Sequence, residues 1–298
     1  MSAGPAARVV AQAKVNLALR ILAREASGFH GLETLFCRLA LGDLVTVRAQ
    51  ERQGRSLDCD ADAGPVERNL AWRAAAAFQE RAGWPRGFAI EIGKRIPIGG
   101  GLGGGSADAG AVLRILNDLA PRPLPEADLL ALAMPLGSDV PFLTTTAPLA
   151  LAWSRGERML ALPPLPARRV LLAVAGEGIA TADAYRWLAA SRGTFAPSPA
   201  LADVGDATTW PGVAAMSVND FEPVVFARAP RVEAAWRALG ERAEGAVVRM
   251  SGSGATVFRA DDGRAPEAGF RDALEREAGA RLAVTATAPS VVPVERLD

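Results

Sequence analysis

The chain has 298 residues, half of them apolar, with 33 basic side chains against 33 acidic ones. That length accommodates about two domains of ordinary size and a substantial core, while the balanced charge argues against nucleic acid as a partner. No stretch reaches the roughly 18 uncharged apolar residues of a membrane span, and the start, MSAGPAARVVAQAK, has no long apolar leader, so a cytoplasmic protein without membrane contact is expected. Cys37 and Cys59 stand in no CxxC or metal-ligand spacing, in keeping with a reduced compartment.

In chain order, the segment KVNLALRI (14–21) alternates, with Val15, Leu17, Leu19 and Ile21 on one face of a strand and Lys14 and Asn16 on the other. A second strand is expected over 44–49, after the turn-like Gly42-Asp43, and an alanine-rich helix over 69–81. Phe88, Ile90 and Ile92 alternate again and lead into Lys94-Arg95-Ile96-Pro97. A glycine-rich loop follows, then a helix beginning near Ser106 with Val112, Ile115, Leu116 and Leu119 at helical spacing. The proline-rich LPPLPARR (162–169) is a plausible joint between two domains, 1–162 and 163–298. Beyond it the pattern predicts a strand at 169–175, a helix at 182–190, a loop-like region at 198–212 and a helix at 230–241. Strands at 246–250 and 255–260 flank the tight turn SGSG, and a helix at 266–278 and a strand at 281–286 complete an α+β half.

Two features point to chemistry. Only two of the 33 basic residues are lysine, Lys14 and Lys94, and a chain that otherwise uses arginine keeps lysine where a compact point charge is needed. Six of the seven positions from Gly99 to Gly105 are glycine, between a strand and an amphipathic helix. The loop lacks the GK[ST] ending of a Walker A motif. Gly99, Gly101 and Gly104 satisfy GxGxxG, but a glycine run does so almost by default, and the motif lies a third of the way along the chain rather than in an opening βαβ unit. Backbone N–H groups wrapping a phosphate chain, with the following helix aiming its positive end at it, explain the composition better.

PIGGGLGGGSADA (97–109), together with AKVNLAL (13–19) and RMSGSGATVF (249–258), resembles the motifs of the GHMP kinases in the family's order across nearly the whole chain. SGFHGLETLF (27–36), GSDVPF (137–142) and SVNDFEP (217–223) resemble the branch whose small-molecule substrate carries a cytidine diphosphate group, in non-mevalonate isoprenoid precursor biosynthesis. The resemblance implies an α+β fold of two domains, ribosomal-protein-S5-like and then ferredoxin-like, with the active site between them.

It also implies roles. ATP would be the co-substrate, its phosphates held by Pro97, Ile98, Gly99, Gly100, Gly101, Leu102, Gly103, Gly104, Gly105, Ser106 and Ala107, with Lys94 and Asn69 as further nucleotide contacts. Arg68 stands where the family has an acidic residue. Asp139 matches the catalytic aspartate, although an aspartate after Gly-Ser commonly caps a turn or helix. Lys14 matches the active-site lysine and shares its strand face with Asn16, a substrate contact. Ser106 is the candidate ligand for Mg²⁺, with no second acidic ligand evident. His30, the only histidine, and Phe29, in place of the family's tyrosine, would grip cytosine against Tyr185, the only tyrosine. SGSG is expected to line the site, and Asn219-Asp220 to pack. A kinase of another alcohol, such as homoserine or mevalonate, would have no base to grip with Phe29 and His30, and a non-catalytic nucleotide-binding regulator would have no need of both Lys14 and Asp139.

Overall fold

The computed structural model describes residues 4–24, 30–62, 64–176, 178–191, 204–241, 243–263 and 269–298, with the backbone alone at residues 23, 24 and 30. Two long antiparallel strands, β1 (Ala6–Arg24) and β2 (His30–Gln50), form its spine. The predicted strand at 44–49 is only the last part of β2. The preceding run, LFCRLALGD, shows no alternation because Leu35, Phe36, Cys37, Arg38 and Leu39 are all buried. Along its other edge β2 pairs antiparallel first with β5 (Leu149–Ser154) and then with β4 (Gly87–Gly93). β3 (Gly54–Cys59) adds parallel to β4, β6 (Arg158–Leu162) pairs with β5, and the last strand, β11 (Glu295–Leu297), pairs with β1, making seven strands.

One side of this sheet is covered by helices. α1 (Leu70–Ala82) starts where the Asn69 side chain accepts from the Ala71 N–H, and stops at Gly83 in a left-handed conformation. α2 (Gly104–Leu119) begins two residues before the expected start and packs against α1, α4 (Val140–Thr144) and the first two strands. Its residues Ala107 to Leu113 are buried without a break, as befits a helix enclosed on all sides. α3 (Glu126–Ala133) lies between α2 and α4 in the chain.

After the segment 163–168, β7 (Arg169–Ala175), β8 (Val247–Met250), β9 (Thr256–Asp261) and β10 (Ala280–Ala286) form a second antiparallel sheet in the order β10-β7-β9-β8. Val170, Leu172, Phe258 and Ala260 face the first core. Leu171, Ala173 and Val257 face a second core, built with α5 (Thr181–Ser191), α7 (Glu222–Phe226), α8 (Pro230–Gly240) and α9 (Phe270–Ala278). Part of the expected loop at 198–212 is helical: α6 (Trp210–Met216) buries Trp210, whose indole N–H donates to Pro166 O at 2.7 Å and so fastens the proline-rich segment. The start of the helix predicted from 266 lies outside the described residues.

The two sheets are stitched together by a bridge from Leu19 to Asn219, another from Leu39 to Thr287, and the return of β11 to β1. The expected part 163–298 thus contributes a strand to the first sheet. Among the described residues no helix is long and apolar enough to cross a membrane, and both cysteines are free.

Candidate active site

β1 suffers register shifts between Gln12 and Lys14 and between Asn16 and Ala18. Bulges of this kind re-aim side chains, and here they bracket Lys14 and Asn16. The predicted alternation over 14–21 breaks at the second shift. Val15 and Leu17 enter the first core, Leu19 and Ile21 the second, and Leu19 lines the same cavity as Lys14 and Asn16.

Lys14 is 2% exposed. Its Nζ donates to Asn16 Oδ1 at 2.8 Å and to Gly101 O at 3.2 Å, and lies 3.1 Å from Asp139 Oδ2. Asn16 is oriented in turn, donating through Nδ2 to Thr34 Oγ1 at 2.8 Å, while that hydroxyl donates to Ala18 O at 2.7 Å. Asp139 occupies the position before α4 where capping is ordinary, yet its carboxylate makes no cap and turns to Lys14 instead.

The far end of α4 is secured by a residue with no role assigned in the sequence reading. Arg38, buried and paired with Lys14 across the strands, donates to Phe142 O and Thr145 O at 2.8 Å and to Ala147 O at 3.0 Å. Burial lowers its guanidinium to about 9. Between the two cations, Phe36 and Phe142 stack at 4.9 Å, with Lys14 Nζ 5.6 Å from the first ring centroid and the Arg38 guanidinium 4.9 Å from the second.

The glycine loop runs along the cavity mouth and fits only as glycine at its closest approaches. At Gly103 (φ +72°) a Cβ would lie 3.0 Å from Lys14 Cε; at Gly101 (φ +75°) it would lie 2.2 Å from Ser251 O. Bare backbone is what lets the loop pass between the lysine and the SGSG turn. The cavity, about 520 Å³, is lined by Lys14, Asn16, Thr34, Asn69, Lys94, residues 97–106, Asp108, Asp139, Thr181, Tyr185, Phe221 and Gly252–Gly254. SGSG therefore lines the site as expected, and Ala107 lies buried in the turn of α2 behind it.

Lys94 also lines the cavity, but its ammonium is engaged. Nζ contacts Asp43 Oδ2 and donates to Asp108 Oδ2 at 2.7 Å. Asp43 further accepts from the Arg95 and Ile96 N–H groups at 2.6 and 2.7 Å, which anchors the strand end from which the glycine loop departs. Burial opposes the charged lysine, but the two carboxylates outweigh it and raise Lys94 above its ordinary value. Burial pushes Asp108 up to about 7 against the pull of Lys94. Asp43 was legible only as part of a turn, and it lies instead inside β2 with no exposed surface.

At the other end, Tyr185 meets Phe221 edge-on at 5.0 Å between centroids. Burial first and the nearby Asp139 carboxylate second raise its phenol to about 12, so it is protonated at neutral pH. Phe29 and the side chain of His30 lie outside the described residues. The Asn69 side chain caps α1 through Oδ1 while also lining the cavity, beside Arg68. Ser106 lines the cavity in the first turn of α2. No group of three His, Cys, Asp or Glu side chains among those residues could hold a metal ion by itself.

Residues 69–146 match the family model of the GHMP kinases N terminal domain, and residues 200–280 that of the GHMP kinases C terminal domain. A protein of Anaeromyxobacter dehalogenans named 4-diphosphocytidyl-2-C-methyl-D-erythritol kinase is 41% identical over 275 residues, covering 90% of this chain and 85% of its own. The chain belongs to the GHMP kinase family. A Deinococcus radiodurans protein of the same name is 39% identical over 83% of this chain and 82% of its own. A crystal structure of 4-(cytidine 5'-diphospho)-2C-methyl-D-erythritol kinase superposes with a TM-score of 0.75 at 34% identity, covering 94% of this chain and 98% of that one. Homoserine kinase from Cytophaga hutchinsonii, at 19% identity and a TM-score of 0.70, shares the fold. The two-domain α+β architecture is thus that of the GHMP kinases.

Proposed function

We propose that this GHMP kinase transfers the γ-phosphoryl group of ATP to a hydroxyl of 4-diphosphocytidyl-2-C-methyl-D-erythritol, giving the 2-phosphate. The observation that carries the chemistry is the 3.1 Å contact between Lys14 Nζ and Asp139 Oδ2 in a cavity that the glycine loop also lines. The substrate is carried by the relatives' names, at about 40% identity over most of the chain.

Phosphoryl transfer needs placement and charge neutralisation more than covalent chemistry from the protein. The loop's N–H groups and the start of α2 receive the nucleotide phosphates. Asp139 accepts the proton of the substrate hydroxyl while the oxygen attacks the γ-phosphorus and the bond to the β,γ-bridging oxygen breaks, releasing ADP. Lys14, 3.1 Å from that carboxylate, offsets the negative charge that develops on the transferring oxygens. Asn16, at the cavity wall, holds the lysine through Oδ1.

Mg²⁺ commonly reaches such sites on the nucleotide, held by phosphates and water with one or two protein oxygens. Ser106, whose hydroxyl belongs to a residue of the cavity wall, would be the protein oxygen for an ion held that way. When bound, such an ion supplies further charge neutralisation on the phosphates. Tyr185 provides an aromatic face for cytosine, with Phe29 and His30 as its expected partners.

An ADP-release assay with the cytidylyl substrate, homoserine and mevalonate tests the proposal. Turnover of the first alone is expected. Turnover of homoserine or mevalonate at a comparable kcat/KM would overturn the substrate assignment.

A further inference from the structure

The segment SVNDFEP, set apart in the sequence and expected only to pack, is the hub where the two sheets meet at the site. Asn219 is 1% exposed and its side chain is spent on contacts across that junction. Nδ2 donates to Met250 O at 2.7 Å and to Gly252 O at 2.8 Å, while Oδ1 accepts from the Phe221 N–H at 2.9 Å. Its backbone is locked to β1, since Leu19 N donates to Val218 O at 2.7 Å and Asp220 N donates to Leu19 O at 3.0 Å. The Asp220 carboxylate extends the clasp by accepting from Ile21 N at 2.8 Å. Asn219 therefore ties the strand that carries Lys14 to the turn 251–254.

That turn reaches the phosphate loop. Ser251 Oγ donates to Gly101 O at 2.9 Å, and Thr256 N donates to Gly100 O at 3.2 Å. A Cβ on Gly252 would lie 3.6 Å from Lys14 Nζ. Gly101 O, which also receives Lys14, is thus held from both sides.

We infer that Asn219 is a positioning residue for phosphoryl transfer: through its two amide donors it fixes the turn 251–254, and through that turn the glycine loop, relative to Lys14. The inference rests on the phosphotransfer reading above. Displacing reacting groups by about 1 Å can cost on the order of 10²-fold in rate, and one amide group of Asn219 holds both Met250 O and Gly252 O.

Asn219→Asp separates this role from packing. The carboxylate keeps the volume and the acceptor for Phe221 N but loses both donors. It is expected to weaken binding of a fluorescent ADP analogue and to lower kcat, each by on the order of 10-fold or more, with KM for the phosphoryl acceptor within about twofold of wild type. Ser251→Ala, which removes only the Gly101 contact, should give the same signature more weakly, and the double variant should be less than additive; it also serves if Asn219→Asp does not fold. Lowered melting temperature with unchanged kcat and nucleotide affinity in the folded protein would overturn the inference, as would a matching rise in acceptor KM or strict additivity with Ser251→Ala. A wild type inert toward the cytidylyl substrate would instead sink the functional reading, and the ADP titration would still decide the role of Asn219.

Discussion

Lys14 Nζ and Asp139 Oδ2 lie 3.1 Å apart, yet the two side chains differ sharply in access: the lysine is 3% exposed and the aspartate 26%. Both line the cavity, the cation buried and the carboxylate partly open. In the proposed reaction a substrate hydroxyl would reach the carboxylate without displacing the lysine.

Asp139→Asn tests the base. The amide keeps the shape but cannot take a proton, and general-base catalysis is typically worth about 10²–10⁴-fold. We expect kcat to fall within that range and nucleotide affinity to change little, since α4 and the glycine loop are separate elements. Near wild-type turnover would return Asp139 to the role of a turn residue.

Lys14→Ala should lower kcat far more than it weakens nucleotide binding, because the charge counts most as the transferring oxygens become negative. Lys14→Arg should rescue poorly. The lysine stem passes 3.0 Å from where a Cβ on Gly103 would sit, and its head fits between Asn16, Gly101 and Asp139. A forked guanidinium needs more room than that point-charge site offers. Full activity in the arginine variant would reduce the scarcity of lysine in the chain to coincidence.

The residues proposed to meet the ligand were largely legible in the sequence, while those that hold them were not. Lys14, Asn16, the glycine loop and Asp139 sit in short contiguous motifs, and the structure brings them to one cavity. Arg38, Asp43 and Asp108 do their work through partners far away in the chain: Arg38 through carbonyls more than a hundred residues on, Asp43 through 94–96. No local period marks Arg38, because β2 is buried on both faces over 35–39 and that apolar run absorbs it unannounced. The slip of Leu19 onto the cavity side has a similar cause, since a bulge is a property of strand pairing rather than of one strand's pattern.

Arg38→Met tests the anchor behind α4. It leaves three carbonyls without their charged donor, and hydrogen bonds to charged groups contribute roughly 1.5–3 kcal/mol each. Urea unfolding should show a loss of at least about 2 kcal/mol. Because α4 carries Asp139 at its start, kcat should fall in the folded fraction while nucleotide affinity stays near wild type. Unchanged stability and kcat together would show that the segment 142–147 holds its place without the guanidinium.

Lys94→Met tests the buried triad. Asp43 and Asp108, with side chains 0% and 4% exposed, would lose their shared cation, and breaking a buried pair typically costs about 3–5 kcal/mol. The sign with pH follows from Asp108. Its folded value, about 7, lies above its ordinary 3.8, so its contribution is fully present below the ordinary value and is lost as pH rises through the folded one. Lys94, raised above its ordinary value, contributes throughout the neutral range and is lost only at high pH. Removing it makes an ionised Asp108 harder to bury, so the variant's deficit should be larger near about pH 8 than near about pH 5. A deficit independent of pH in urea unfolding would mean that the carboxylates are not left charged.

The last prediction concerns the base at the acceptor end. Tyr185 meets Phe221 edge-on, its phenol protonated, and lines the cavity. Stacking on an aromatic face is worth about 1–3 kcal/mol per base in single-stranded nucleic-acid complexes and barely distinguishes one base from another. Tyr185→Ala should therefore raise KM for cytidine and uridine forms of the substrate alike. Discrimination must come from hydrogen bonds to the exocyclic amine and ring nitrogen, where uracil reverses donor and acceptor, and a site built on such bonds rejects the mismatched analogue strongly. His30 is the expected reader, so His30→Ala should narrow the gap between the two substrates while Tyr185→Ala leaves it in place. The measurement is kcat/KM for both substrates in wild type and the two variants. Equal losses for both bases in the His30 variant, with selectivity unchanged, would show that the chain's single histidine does not read the base.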